Sequence, residues 1–154
     1  MTGFLTPSVR QLLKQSGYPG MKVLQFGFDS RDGDSGHLPH KYPVYCVAYT
    51  GTHDNDTFMG WLEHASEQDA AYAKAYLRLG QERPCWDALC ALWATQAQVT
   101  VVQGQDLLEL GSESRMNTPG ILGNNWSWRV RGKSFTKELA QEIQGKMELY
   151  GRLP

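Results

Sequence analysis

Three apolar runs, residues 21–28, 44–50 and 99–103, alternate along the chain with segments whose apolar positions recur at helical spacing. This alternation constrains the fold more than any other feature. The first run is apolar on both faces apart from Lys22 and Gln25, and strands of that kind belong to parallel sheets covered by helices. Strand and helix in alternation give an α/β fold with parallel strands joined by crossovers. About three parallel strands with flanking helices are therefore expected. No repeat, low-complexity tract or linker divides the 154 residues, so residues 1–154 are expected to form a single domain.

The helices are legible from their ends. Thr6-Pro7 is a capping residue followed by proline at the first helical position, with Val9, Leu12 and Leu13 as a short stripe and Gly17 as the stop. Met59, Trp61, Leu62 and Ala65 fit a helix that begins at Phe58,. Ser66-Glu67-Gln68-Asp69 reads as a capping box opening a helix through Leu79, with Gly80 beyond it,. Pro84 starts another, with Trp86, Leu89, Cys90, Trp93 and Ala97 on one face. A short turn is expected at 106–110. Ser134 or Thr136 opens the last helix, whose stripe is Leu139, Ile143, Met147 and Tyr150.

Composition excludes several function classes. The formal net charge is −1 without a Lys/Arg run, which leaves no footprint for nucleic acid or an anionic membrane,. No signal segment and no apolar run of membrane-spanning length appears,. Cys46, Cys85 and Cys90 are an odd set without zinc-type pair spacing, which reads as buried free thiols in a reducing cytoplasm,. The loop 29–42 carries Arg31, Asp29, Asp32, Asp34, His37 and His40. His37 and His40 invite a metal, but Leu38-Pro39 between them argues against a shared helical face, and a solvated loop is expected.

The chemistry concentrates where the second run ends. Thr50-Gly51-Thr52-His53-Asp54-Asn55-Asp56-Thr57 follows the apolar run and precedes the helix at Phe58. A strand that ends in this way delivers a histidine and a carboxylate into a βα loop, where parallel α/β enzymes place their reactive groups. Against this stands the plainer reading that Asp54 or Asp56 caps the following helix. One cap needs one carboxylate, so the other is left without a structural task. Residues 111–125 form a second long loop, rich in Gly, Asn, Ser and Pro, that ends in Asn125-Trp126-Ser127-Trp128-Arg129. Loops of this length are functional or disordered, and the two tryptophans favour function.

Residues 50–57 resemble the signature of the amylomaltases, the 4-α-glucanotransferases also known as disproportionating enzymes. Two further blocks agree in order: Pro19-Gly20-Met21-Lys22-Val23-Leu24-Gln25-Phe26, and Arg115-Met116-Asn117-Thr118-Pro119-Gly120 followed by residues 125–129. The resemblance implies a partial (β/α)8 barrel, its strands six to eight with their helices, since a whole barrel needs about 250 residues. It implies Asp54 as the transition-state stabiliser, with His53 and Asn117 binding the sugar. It implies maltooligosaccharides or other α-1,4-glucans as substrates, and neither cofactor nor metal. Two departures follow from the same comparison. Nothing here matches the family's nucleophilic aspartate. Its acid/base glutamate would immediately precede Met1, with Gly3 in the glycine place of the motif and Met1 and Thr2 where Asp and Leu would stand. The sequence is thus expected to be a C-terminal fragment, cut just after the catalytic acid and inactive alone.

Retaining transfer of a glycosyl unit needs two carboxyl groups, a nucleophile and an acid/base, and gains from a third negative group that bonds the sugar hydroxyls. Two other readings remain open on the residues. One is a non-catalytic α-glucan-binding module using Trp126, Trp128 and His53/Asp54. The other is a small hydrolase in which His53, Asp54 and Asp56 hold a metal. A slice of a barrel would also bare its outer strands, so self-association through their edges is expected.

Overall fold

In chain order the elements are α1 (Pro7–Ser16), β1 (Gly20–Val23), β2 (Cys46–Tyr49), α2 (Phe58–His64), α3 (Glu67–Leu77) and α4 (Pro84–Trp93). β3 (Val99–Val101), α5 (Gly104–Leu107) and α6 (Lys137–Leu149) follow. The computed structural model describes residues 6–30 and 35–153. The expectations that fall on Met1, Thr2, Gly3, Arg31, Asp32 and Asp34 lie outside the described residues. β1, β2 and β3 pair side by side, all parallel. The expected α/β architecture of three parallel strands with flanking helices is what the chain adopts.

The strands are shorter than the apolar runs. After Val23 the chain leaves the sheet and coils into a 3-10 turn, Leu24–Phe28, which places Leu24 and Phe28 fully inside the core. Burying two such side chains contributes about 1.5–3 kcal/mol each, more than the ladder bonds a longer strand would add. The connection from β1 to β2 holds 3-10 turns and, among the described residues, no α-helix, so strict alternation fails at that one crossover.

Register decides which faces are covered. Met21, Val47 and Val99 stand in one row and Val23, Tyr49 and Val101 in the next, on the same face,. Cys46 and Ala48 point the other way and are buried with Tyr42, Leu92 and Ala97. The expectation of two covered faces is therefore corrected in part: the helices cover the Cys46/Ala48 face, whereas on the other face Val23 is fully buried but Met21, Val99 and Val101 are 55%, 47% and 43% exposed.

Most helix signals hold, with corrections at the ends. α1 starts at Pro7 and stops at Gly17, in the left-handed region at φ 71°, yet buries nothing: Val9, Leu12 and Leu13 are exposed. Ser66 caps α3 through the Asp69 amide at 3.1 Å. α3 ends at Arg78, itself left-handed, and not at Gly80. The early stop lets Leu77 and Leu79 reach the same core cluster, closed by a bond from the Leu79 amide to the Lys74 carbonyl,. Thr136 caps α6 on the Leu139 amide. Leu139, Ile143, Met147 and Tyr150 then pack on Trp86, Leu89 and Trp93 of α4, as their spacing predicts. Arg152 fastens this docking by donating to the carbonyls of Trp93, Thr95 and Ala97.

The cysteines are free, with Cys46 and Cys85 buried and Cys90 partly so. Burial pushes the Cys85 and Cys46 thiols up, which keeps both unreactive,. The loop expected to be solvated is anchored instead. His37 Nδ1 accepts the Val23 amide at 3.0 Å and its ring meets Phe26 edge-on. His40 contacts the Tyr76 hydroxyl at 2.7 Å. The two imidazoles thus serve separate elements.

Candidate active site

β2 ends at Tyr49, and Thr50 beyond it is fully buried. Asn55 Oδ1 accepts from both the amide and the hydroxyl of Thr52, at 2.9 and 2.8 Å, which folds 52–55 into a tight turn,. Glutamines from both neighbouring strand ends grip the main chain of this loop. Gln25 Nε2 donates to the Asp56 carbonyl at 2.9 Å, and Gln103 Nε2 to the Thr52 carbonyl at 2.6 Å. Gly51 runs between them, where a Cβ would lie 2.9 Å from one amide nitrogen and 3.2 Å from the other. The turn leaves His53 and Asp54 at its outer side, half exposed.

The three site residues expected from the sequence come together here. Asn117 Nδ2 donates to Asp54 Oδ1 at 2.6 Å, and His53 Nε2 lies 3.3 Å from the same oxygen. The Trp126 ring stands 5.1 Å from the His53 ring. Trp126 holds a left-handed backbone at φ 61°, a conformation that costs a non-glycine residue energy and recurs at functional sites,. The loop that carries Asn117 and Trp126 is tied by Asn125, whose side chain accepts from the Thr118 amide and donates to the Thr118 and Ile121 carbonyls. A cleft of about 390 Å3 opens beside His53, lined by Met21, Tyr49, Thr52, Val101 and Gln103.

Neither Asp54 nor Asp56 caps α2, which corrects the plainer reading. Thr57 does so, accepting from the Gly60 amide at 3.1 Å. Asp106 Oδ1 accepts the Phe58 amide at 2.8 Å. Asp56 is engaged elsewhere, with Oδ1 on the Thr57 amide and Oδ2 on the Ser112 hydroxyl at 2.6 Å. His53, Asp54 and Asp56 therefore do not converge, and among the described residues no group of three His, Cys, Asp or Glu could hold a metal ion.

Sequence reasoning missed Gln25, Gln103, Asp106 and Arg115. Gln25 and Gln103 carried a signal, since each is an amide in an otherwise apolar run. Asp106 is fully buried, and its Oδ2 has no partner. Burial pushes its carboxyl above the usual range, the Thr50 hydroxyl and Phe58 amide pull it back, and the charge of Asp56 raises it further. Nothing in the local sequence distinguishes it from a surface aspartate.

A parallel sheet whose middle strand delivers a histidine and a carboxylate at its C-terminal end has the arrangement of α/β enzymes that work at strand ends. A family model described as 4-alpha-glucanotransferase matches residues 2–136. The chain belongs to the 4-α-glucanotransferase family. The 4-alpha-glucanotransferase of Clostridium butyricum is 42% identical over 152 residues, a match that takes 97% of this chain and 31% of that protein. That of Thermus thermophilus is 40% identical, over 98% of this chain and 32% of its own length. An amylomaltase from Streptococcus agalactiae in complex with acarbose superposes with a TM-score of 0.91 at 36% identity, over 97% of this chain and 30% of that one. The chain thus spans about 31% of the length of such relatives.

Proposed function

We propose that this chain supplies the transition-state-stabilising part of a glucanotransferase cleft that moves α-1,4-glucan segments between maltooligosaccharides with retention. The observation that carries the reading is the convergence of His53 and Asn117 on one oxygen of Asp54 at the end of β2. Both contacts fall on Oδ1. A fixed carboxylate beside the sugar ring favours the positive charge that develops at the anomeric carbon, and it costs no reorganisation when the charge appears. His53 and Asn117 hold Asp54 in place and hydrogen-bond the same sugar. The nucleophile and the acid/base, which retaining enzymes hold about 5–5.5 Å apart, belong on this reading to polypeptide beyond the matched third.

Residues 1–154 are read as one domain, the C-terminal portion of a catalytic (β/α)8 barrel, and the bare Met21/Val99/Val101 face fits such a slice. That face, and strands β1 and β3 with a neighbour on one side only, favour self-association of the isolated chain,. The family neighbour bound to acarbose supports an α-glucan ligand. No cofactor, nucleic acid or membrane partner enters the reading. Among the described residues no helix is long and apolar enough to cross a membrane. Free cysteines favour the cytoplasm,.

The test is a chimera in which this chain replaces the matching third of the Clostridium butyricum relative. It should disproportionate maltotriose, and Asp54→Asn should lower turnover about 100-fold or more. The 154-residue chain alone should release no glucose above a heat-killed control. Unchanged turnover in the Asp54→Asn chimera would remove the role assigned to Asp54.

A further inference from the structure

We propose that Arg115 is a positioning residue whose guanidinium sets the distance between Asp54 and Asn117. Its Nη2 donates to the Asp54 carbonyl at 2.6 Å, and its Nε donates to the Asn117 carbonyl at 2.9 Å. The third side of the triangle is the Asn117–Asp54 side-chain bond at 2.6 Å. Asp54 and Asn117 are 63 positions apart, in the loops that follow β2 and β3. Other bonds between those loops fasten neighbours: Gln103 holds Thr52, and Ser112 holds Asp56. Among the described residues, Arg115 alone bonds the main chain of both members of the pair.

The chemistry of the side chain explains why arginine stands there. Nε and one Nη share an edge of a rigid plane, so the two carbonyls they bind are held at a fixed separation. A lysine ammonium is a point charge on a flexible stem and cannot fix two acceptors in that way. The fork also projects from an anchored base. Arg115 ends the 3-10 turn Ser112–Ser114, its amide bonds the Ser112 carbonyl, and the buried Gln105 side chain holds the Ser114 carbonyl at 3.1 Å. A site must hold its groups to within about 0.5 Å of productive geometry, and two loops on separate strands do not do so unaided.

The inference bears on glucan only through the roles given to Asp54 and Asn117 above, but its test needs no glucan. In 15N-labelled 154-residue protein, the Asn117 side-chain amide should resonate at a position set by its bond to the Asp54 carboxylate. Asp54→Asn marks where it moves when that partner loses its charge. Arg115→Lys and Arg115→Gln should both move the Asn117 amide towards that position and speed its hydrogen exchange about tenfold or more. Backbone signals of α4 and the melting temperature should stay in place. An Asn117 amide unmoved in both variants overturns the inference. So does movement in Arg115→Gln but not in Arg115→Lys, because charge without the fork would then suffice. Spectrum-wide shifts or unfolding in both variants also overturn it, by making Arg115 a general structural residue. In the chimera the same variants should weaken acarbose binding about tenfold. Binding unchanged while the Asn117 amide has moved would instead count against the glucan role of the pair and leave the positioning role standing.

Discussion

Gly60 sits in the first turn of α2, where replacing glycine by alanine ordinarily stabilises a helix by about 0.5–1 kcal/mol,. Here the surroundings reverse the sign. A Cβ at Gly60 would overlap the Ser112 hydroxyl and lie 2.8 Å from Asp56 Oδ1. Neither neighbour moves without loss. The hydroxyl donates to Asp56 Oδ2 at 2.6 Å, and Oδ1 of the same carboxylate accepts the Thr57 amide at 2.8 Å. Breaking the charge-assisted Ser112–Asp56 bond costs about 1.5–3 kcal/mol. Set against the helix gain, Gly60→Ala should destabilise by roughly 1–2 kcal/mol. In a chain of this size that lowers the melting temperature by about 2–8 °C, measured by calorimetry or circular dichroism. Gly60→Ala on a Ser112→Ala background supplies the control. With the hydroxyl gone the overlap with Ser112 disappears and only the Asp56 Oδ1 contact remains, so the second substitution should cost less than it does in wild type,. A Gly60→Ala protein that melts at or above the wild-type temperature would show that the contact between α2 and the 3-10 turn is looser than this geometry requires.

Two further outcomes follow from the core and the open face. The Asp106 carboxyl is raised in the folded state, so the native chain holds that proton more tightly than the unfolded one,. The group's stabilising contribution is then full below about pH 4 and is lost as pH rises through the raised value. Urea midpoints should fall less as pH rises from about 4 in Asp106→Asn than in wild type, and parallel profiles would contradict the assignment,. Val101→Lys places a charge on the open face at the β3 edge, where Val101 is 43% exposed,. Sedimentation should show concentration-dependent association of wild type and its loss in the variant, and a wild-type chain that stays monomeric at high concentration argues against association through this face.

Much of the architecture follows from local signals. Pro7, Gly17, Ser66, Pro84 and Thr136 mark helix ends by backbone chemistry that acts within a turn,. The α6 stripe finds its partners because periodicity alone puts Leu139, Ile143, Met147 and Tyr150 on one side,. The pairing of His53 and Asp54 at a strand end is legible for the same reason, as their spacing is fixed by the chain itself. Tertiary structure decided the rest. Val23 ends β1 because Leu24 and Phe28 gain more in the core than in the sheet. Thr57 caps α2 in place of Asp54 or Asp56 because Asn117 and Ser112, from a loop some 60 positions away, already claim those carboxylates. Arg115 and Asp106 gained their places in the same way. A residue's local propensity is a property of its neighbours in the chain, whereas the partner of a hydrogen bond is whichever group the fold brings within 3 Å.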